Sequence, residues 1–310
     1  MDAPLPEIVV VAGIIRDSQG RLCLSRRPEH KHQGGLWEFP GGKVEAGEAL
    51  SRALARELHE ELGLAGVVSV PFMTVEHAYP DLRVVLHFRH VTAFRGEPHG
   101  REGQPVEWVP LERLSARSLP AANRPVATAL RLPQELAIVA EGLNEAALLA
   151  GLERLEPARQ GLYFRHWNRD TPALARLAEH CHRRGLRFWI RDDAALARRL
   201  GAFGLHLSTN ALIAQSAPPE FDGILSAACH DMRAILKARH LGAHMATLSP
   251  VNRTQSHPSA TPLGWRNFHD MVREQPLVFY ALGGLAPTDL ATARQHGAFG
   301  VAGISAFWPA

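Results

Sequence analysis

The sequence predicts an α/β protein in two domains. Residues 1–132 read as a mixed sheet with helices on its faces, and residues 135–310 as a compact parallel (β/α)₈ barrel. Three observations predict this. Before residue 132, short Val/Ile/Leu/Phe-rich runs bounded by Gly, Pro and Asp flank one strongly amphipathic helical segment. After Leu132-Pro133-Gln134 the rhythm changes to eight strand-like runs separated by helical patterns, as repeated βα units require. At 310 residues the chain is also long enough for two ordinary cores.

Composition narrows the function classes. Hydrophobic residues make up 46% and charged residues 21%, the balance of a soluble globular protein. Cys23, Cys181 and Cys229 are odd in number, far apart and without CxxC spacing. They are expected to be reduced thiols of a cytoplasmic protein, not disulfides or metal ligands. The start carries Asp2 and Glu7 but no basic segment, so no signal peptide is expected. The longest apolar run, Ile8 to Ile15, is far too short for a bilayer, so no membrane partner is expected. A net charge of +3 suits a small anionic substrate. No basic run with interleaved aromatics points to nucleic acid. His30-Lys31-His32 lies in a polar stretch and is expected to be solvent-exposed, not metal-binding.

Taken in order, Ile8–Arg16 reads as a buried strand and Arg21–Arg26 as its hairpin partner across Asp17-Ser18-Gln19-Gly20. A loop through His32-Gln33-Gly34-Gly35 leads to Leu36-Trp37-Glu38-Phe39 and then to Gly41–Leu64. There Leu50, Leu54, Leu58 and Leu62 recur every four residues, one apolar stripe of a helix. Glu57, Glu60 and Glu61 stand at i, i+3 and i+4 and share a neighbouring face. Three crowded carboxylates repel one another. A hard cation such as Mg²⁺, or Mn²⁺ in its place, converts that repulsion into affinity and bridges phosphates as well. Val67–Glu76 and Leu82–Phe94 follow as an antiparallel pair turning at Tyr79-Pro80-Asp81, then a strand at Val106–Val109 and a closing helix at Asn123–Arg131.

The pattern Gly42, five residues, Glu48, seven residues, Arg56-Glu57-Leu58, one residue, Glu60-Glu61, one residue, Gly63-Leu64 resembles the Nudix box. That resemblance implies a Nudix α/β/α sandwich and an enzyme that hydrolyses a nucleoside diphosphate linked to another group, with metal on this helix. Ser25-Arg26-Arg27, Leu36 to Gly42, Arg101-Glu102-Gly103-Gln104 and Pro120-Ala121-Ala122-Asn123 are similar to the MutT subfamily, which removes oxidised guanine nucleotides. Carried over, Glu57, Glu60 and Glu61 are catalytic and bind metal, with Glu102 and the Gly41 carbonyl as further ligands. Arg27, Phe39 and Asn123 line the base pocket. Each has a plainer alternative: Phe39 as core, Arg27 as a surface cation, Asn123 as a helix N-cap. Arg56 is expected to hold the box carboxylates, and Lys43 either contacts phosphate or is solvated. Glu57 is the base or a ligand beside it.

The role of Asn123 follows from base chemistry. Guanine offers two acceptors, O6 and N7, on one edge. Oxidation at C8 protonates N7, so that edge becomes acceptor then donor, which one amide can match with its NH₂ and C=O. The implied reaction is 8-oxo-dGTP to 8-oxo-dGMP and pyrophosphate, sanitation of the nucleotide pool that prevents replication errors.

In the second domain the strand-like runs are Leu136–Ala140, Gly161–Arg165, Leu186–Arg191, Phe203–Ser208, Gly223–Ala227, Ala243–Ser249, Leu277–Leu282 and Ala298–Gly303. Helical patterns are clearest at Glu145–Leu155, Pro172–Arg184, Met232–Leu241 and Thr288–His296. The domain is short against the about 250 residues typical of a barrel, and the last helix is expected to be truncated or missing. That flank is left for the first domain, or a second subunit in a homo-oligomer, to cover. Several strand ends resemble thiamine phosphate synthase and the thiazole tautomerase, both TIM barrels: Arg165, Arg191-Asp192-Asp193, Leu205-His206-Leu207, Cys229-His230, Gly283-Gly284 and Gly303-Ile304-Ser305. The resemblance implies a phosphate site of Arg165, Asp192, His230, Gly283, Gly284 and Gly303. Departures stand beside it. Trp167 replaces an expected lysine, Ser208-Thr209-Asn210-Ala211 offers no second metal-binding aspartate, and the phosphate loop reads Thr254-Gln255-Ser256-His257. Synthase activity is therefore not expected. An accessory or ligand-sensing role is, against the competing reading of a bare scaffold. The alternative is a bifunctional or regulatory protein of thiamine metabolism whose barrel binds a thiazole or thiamine phosphate.

Overall fold

Strand β1 (Glu7–Ile14) is the centre of the first sheet because its Val11, Ala12 and Ile14 are all buried. In this computed structural model the described residues are 5–29, 33–167, 171–254 and 259–308. Expectations at Asp2, at His30-Lys31-His32 and at Gln255-Ser256-His257 lie outside them. The chain forms two units, Met1–Arg131 with Arg273–Pro276, and Leu132–Val272 with Leu277–Ala310.

In the first unit β1 is followed by β2 (Leu22–Arg26), β3 (Trp37–Glu38), β4 (Gly41–Lys43), α1 (Leu50–Leu62), β5 (Ala65–Ala78), β6 (Arg83–Arg95), β7 (Val106–Val109) and α2 (Arg124–Ala129). A mixed sheet runs β4-β1-β6-β5, with β1 parallel to β6 and antiparallel to β4, and a second sheet runs β3-β2-β7. The pairing differs from the expected hairpin of β1 with Arg21–Arg26. Beyond β1, Arg16 bridges Leu22 and the Cys23 N–H donates to the Ile15 carbonyl at 3.0 Å, while β2 pairs along Leu22–Ser25 with β7. Both sides of β1 are already occupied, and the Asp17 carboxylate tightens the turn by accepting the Gln19 and Arg21 N–H groups at 2.9 and 2.8 Å.

Helix α1 buries Ala53, Leu54, Leu58 and Leu62 in one core with Val11 and Ile15. It stops at Gly63, whose φ of 74° carries no Cβ penalty and lets its N–H return to the last-turn carbonyls.

The second unit alternates β8 (Glu135–Ile138), α3 (Glu145–Arg154), β9 (Gln160–Phe164), α4 (Pro172–Arg184), β10 (Phe188–Arg191), α5 (Ala194–Arg199), β11 (Gly204–Leu207) and α6 (Thr209–Ala214). It continues with β12 (Ile224–Cys229), α7 (Met232–His240), β13 (Met245–Leu248), α8 (Gly264–Val272), β14 (Val278–Leu282), α9 (Leu290–Gln295) and β15 (Gly300–Gly303). The eight strands close as a parallel barrel, β15 pairing with β8. Side chains of Asn144, Thr171, Asp193, Ser208 and Asp231 cap α3 to α7, satisfying orphan N–H groups at each helix start. No helix follows β15 among the described residues. Instead Trp308 donates its indole N–H to the Ile138 carbonyl at 2.7 Å and lies on Gly151 of α3, where a Cβ would sit 2.5 Å from the ring. Part of the flank is thus closed by the end of the chain itself. No helix of the described residues is long and apolar enough to cross a membrane.

Candidate active site

A cavity of about 620 Å³ in the first unit gathers both sets of residues expected from the sequence. Gly41, Glu57, Glu61 and Glu102 of the metal set line it, together with Arg27, Phe39 and Asn123 of the base set. Glu60 is not on its wall. Its side chain is 53% exposed and reaches the Arg56 guanidinium at 3.4 Å.

Arg56 organises the acidic wall. It holds Glu57 at 2.7 Å and Glu48 at 2.9 Å, and donates to the Lys43 carbonyl at 3.0 Å. Donating to Glu48 and then to Glu57 raises its pKa, and the same contact holds the Glu48 carboxyl below its usual range. Glu61 has a different environment. Its carboxylate accepts the Gly41 N–H at 3.1 Å. Burial first, then the charges of Glu38, Glu57 and Glu102, push its pKa up to about 8.

Two glycines make this approach geometrically feasible. A Cβ on Gly42 would overlap the Glu57 carboxylate, and one on Gly41 would overlap the Val11 carbonyl. Among the described residues no three His, Cys, Asp or Glu side chains already form a closed cage. The donor set nonetheless fits a hard divalent cation. Three carboxylates of the metal set face one cavity, and the buried one is forced towards its neutral form by burial first and then by its neighbours' charge, the part that a cation reverses.

At the base-pocket residues, Asn123 is 4% exposed and sits on a 3₁₀ turn, Ala121–Asn123, just before α2. Its side chain makes no capping bond, which removes the N-cap alternative. Instead its Oδ1 accepts the Phe39 N–H at 3.5 Å. Phe39 is core as well as pocket, 2% exposed with its ring edge-on to Phe88 at 5.8 Å. Arg27 is not a lone surface cation, because it pairs with Glu38 inside the cavity. Sequence reasoning missed Glu38, Tyr79 and Gln104, which also line it. Burial raises the Tyr79 phenol above its usual range although a backbone hydrogen bond with Ala122, beside Asn123, opposes this. Glu38 and Gln104 do fall within the stretches that resemble the MutT subfamily, and Tyr79 within the expected turn, but none was singled out as a site residue.

In the barrel a cavity of about 370 Å³ is lined by Arg165, His230 and Gly283 of the expected phosphate set, with Arg191, His206 and Thr247. Asp192, Gly284 and Gly303 are not on its wall. Asp192 accepts the Ser208 N–H at 2.6 Å and pairs with Arg191 at 3.0 Å, so both oxygens are engaged. Ser208, where a second aspartate was sought, caps α6, and Thr209 donates to the Ala228 carbonyl at 3.2 Å. These residues do not fit a synthase-type metal pair. A Cβ on Gly284 would press to 2.5 Å of the Arg253 carbonyl, and one on Gly303 to 3.0 Å of the Leu285 carbonyl, so both glycines serve close backbone packing. Trp167 packs against the barrel core.

His206 is fixed by its partner. Ser226 Oγ donates to the Leu205 carbonyl at 3.0 Å, so it accepts from His206 Nδ1 at 2.9 Å, leaving Nε2 as an acceptor. His230 is oriented the same way, Nδ1 donating to the Ser249 carbonyl at 2.8 Å. Burial lowers the His206 pKa from 6.5 to about 4. Below pH 6.5 the unfolded chain binds a proton there that the folded barrel refuses, so stability is lost as pH falls through that window. The expected loss is about 3 kcal/mol between pH 7 and pH 4. Denaturant titrations of His206→Gln should show that acid limb flattened, and an unchanged limb would remove His206 as its source.

The family model described as NUDIX domain matches residues 11–129, and the one described as Thiamine monophosphate synthase matches residues 164–307. Over 127 residues the chain is 39% identical to the 8-oxo-dGTP diphosphatase of Escherichia coli K12, covering 41% of this chain and 98% of that protein. It is 38% identical over 119 residues to the CTP pyrophosphohydrolase of the same organism, covering 38% of this chain and 87% of that protein. The putative thiamine-phosphate synthase 2 of Aquifex aeolicus is 33% identical over 120 residues, covering 38% of this chain and 62% of that protein.

Proposed function

We propose that the first unit of this chain, which belongs to the Nudix hydrolase family, converts 8-oxo-dGTP to 8-oxo-dGMP and pyrophosphate. Overall identity does not choose the base, because a relative named CTP pyrophosphohydrolase is 38% identical. The observation that carries the reading is Asn123, a buried amide in the same cavity as the carboxylates, oriented by a backbone donor. With Oδ1 turned to the Phe39 N–H, the NH₂ is defined as a donor for O6, and the second lone pair of Oδ1 accepts N7–H of the oxidised base. Ordinary dGTP sets an acceptor against that oxygen, and unpaired buried polar groups reject ligands strongly.

Glu57, Glu60, Glu61 and Glu102 and the Gly41 carbonyl would hold Mg²⁺, with Mn²⁺ as a substitute, and that ion would neutralise phosphate charge and acidify water. The chain's own residues do the rest. Glu57 accepts the proton of the attacking water or positions the group that does, and Arg56 keeps its carboxylate in place. Lys43, on the cavity wall, offsets charge on the phosphates. Attack at the β-phosphorus gives the monophosphate and pyrophosphate.

The second unit, residues 135–310 after a Nudix domain at 1–132 in the sequence, is accessory to this reaction in a cytoplasmic protein. One observation favours the alternative role in thiamine metabolism: Arg165, His206 and His230 still line a cavity that a thiazole or thiamine phosphate would fill. Calorimetric titration with either phosphate separates the two roles. For the hydrolase, pyrophosphate release is measured over 8-oxo-dGTP, dGTP, CTP, a sugar nucleotide and thiamine pyrophosphate. The expected leader in kcat/KM is 8-oxo-dGTP, and equal turnover of all five would overturn the reading.

A further inference from the structure

The loop that brings Glu102 to the cavity is docked on the C-terminal end of α1. The last carbonyls of a helix have no partner within it, and here the loop supplies them. The His99 N–H donates to the Leu62 carbonyl at 3.3 Å, the Arg101 N–H to the Glu61 carbonyl at 3.0 Å, and Arg101 Nη1 to the His59 carbonyl at 3.0 Å. Gly100 permits the fold-back, because a Cβ there would overlap the Gln104 carbonyl.

One side chain within this loop touches the backbone of both carboxylate-bearing residues. Gln104 Nε2 donates to the Glu61 carbonyl at 3.1 Å, and Gln104 Oε1 accepts the Glu102 N–H at 2.9 Å. Each end of the amide is engaged, so its orientation is unambiguous and no flipped form satisfies both bonds. Gln104 also lines the cavity.

We infer that Gln104 is a positioning residue that sets the separation of the Glu61 and Glu102 carboxylates for a shared divalent cation. The inference rests on the reading of Glu61 and Glu102 as metal ligands. Without the amide, the helix still ends on the Arg101 N–H, and the Glu102 N–H, which is solvent-exposed, turns to water. The fold is therefore retained while the spacing of the two carboxylates relaxes, and residues that orient metal ligands are worth about 10- to 100-fold in metal affinity.

The test uses the full chain and Mn²⁺ alone, with free Mn²⁺ read by its EPR signal in the absence of nucleotide. Gln104→Met keeps the length of the side chain and removes both hydrogen bonds. Gln104→Ala is a second variant, and the melting temperature of each checks the fold. The expected result is an Mn²⁺ dissociation constant raised about tenfold in both, with kcat at saturating Mn²⁺ falling far less than the affinity. Glu102→Gln is measured alongside and should weaken Mn²⁺ at least as much. If Glu102→Gln weakens binding and Gln104→Met stays within about twofold of wild type, a difference too small for the role assigned, Gln104 does not set the spacing. If Glu102→Gln binds Mn²⁺ as wild type does, Glu102 is not a ligand and the inference falls with that reading.

Discussion

Glu61→Gln is expected to lower kcat about a thousandfold while raising the melting temperature of the metal-free protein at alkaline pH. The two effects have one cause. Glu61 is pushed to a pKa of about 8 by burial and by Glu38, Glu57 and Glu102, so at high pH its charge is held against its surroundings. A glutamine keeps an oxygen for the Gly41 N–H, the bond Glu61 makes at 3.1 Å, and removes the charge. Because the folded pKa lies above the ordinary glutamate value of 4.5, the folded state binds the extra proton between those values. Metal-free stability therefore falls as pH rises from 4.5 towards 8. The gain from Glu61→Gln should be absent below that window and full above it. Pyrophosphate release at saturating substrate checks the rate, and thermal melts in chelator across pH check the stability. A variant that keeps a large share of wild-type turnover would remove Glu61 from the machinery. One that loses turnover and melts lower at every pH would make its role structural instead.

That contrast marks where sequence reading reached its limit. The spacing of Glu57, Glu60 and Glu61 put three carboxylates on neighbouring faces of α1, and the leucine period placed the helix because burial enforces that period. What divides the three is partly local and partly tertiary. Arg56 takes Glu57 and Glu60, while Glu61 turns under the Gly41 backbone. Spacing allows the Arg56–Glu60 pair at i, i+4 but carries no information on the turn of Glu61 towards Gly41. Glu38, Tyr79 and Gln104 escaped for a related reason, since they reach the cavity from β3, the β5–β6 turn and the loop before β7, elements brought together only by sheet pairing. The partner of β2 was misjudged because a short turn favours the nearest strand, whereas Leu22–Ser25 found Val106–Val109. Barrel strands were easier. Buried on both faces, they read as continuous apolar runs. Helices α5 and α6, six residues each, are too short to show a period, and nothing local marks Trp308 as the plug on Gly151.

Asn123→Ala is expected to lower kcat/KM for 8-oxo-dGTP on the order of a hundredfold and to leave dGTP within about threefold, so that the ratio between them collapses. Discrimination needs an amide that cannot flip, since a freely rotating one would meet either base edge with a suitable atom. One contact opposes the flip here. The Phe39 N–H lies 3.5 Å from Oδ1, and turning NH₂ into that place would set donor against donor. The turn carrying Asn123 is pinned by its own N–H to the Pro120 carbonyl at 2.9 Å and by the bond of its neighbour Ala122 to Tyr79. The alanine removes the reader but leaves the turn, because the Asn123 side chain caps nothing. Stability should therefore fall by only about 1–3 kcal/mol, the cost of leaving the buried Phe39 N–H without its acceptor. Asn123→Asp sharpens the test. It keeps an acceptor for N7–H but sets a second oxygen against O6, so it should lose 8-oxo-dGTP activity without gaining dGTP activity. Should Asn123→Ala leave the ratio of kcat/KM for the two nucleotides where it was, base selection lies elsewhere in the cavity, with the Arg27–Glu38 pair the next place to look.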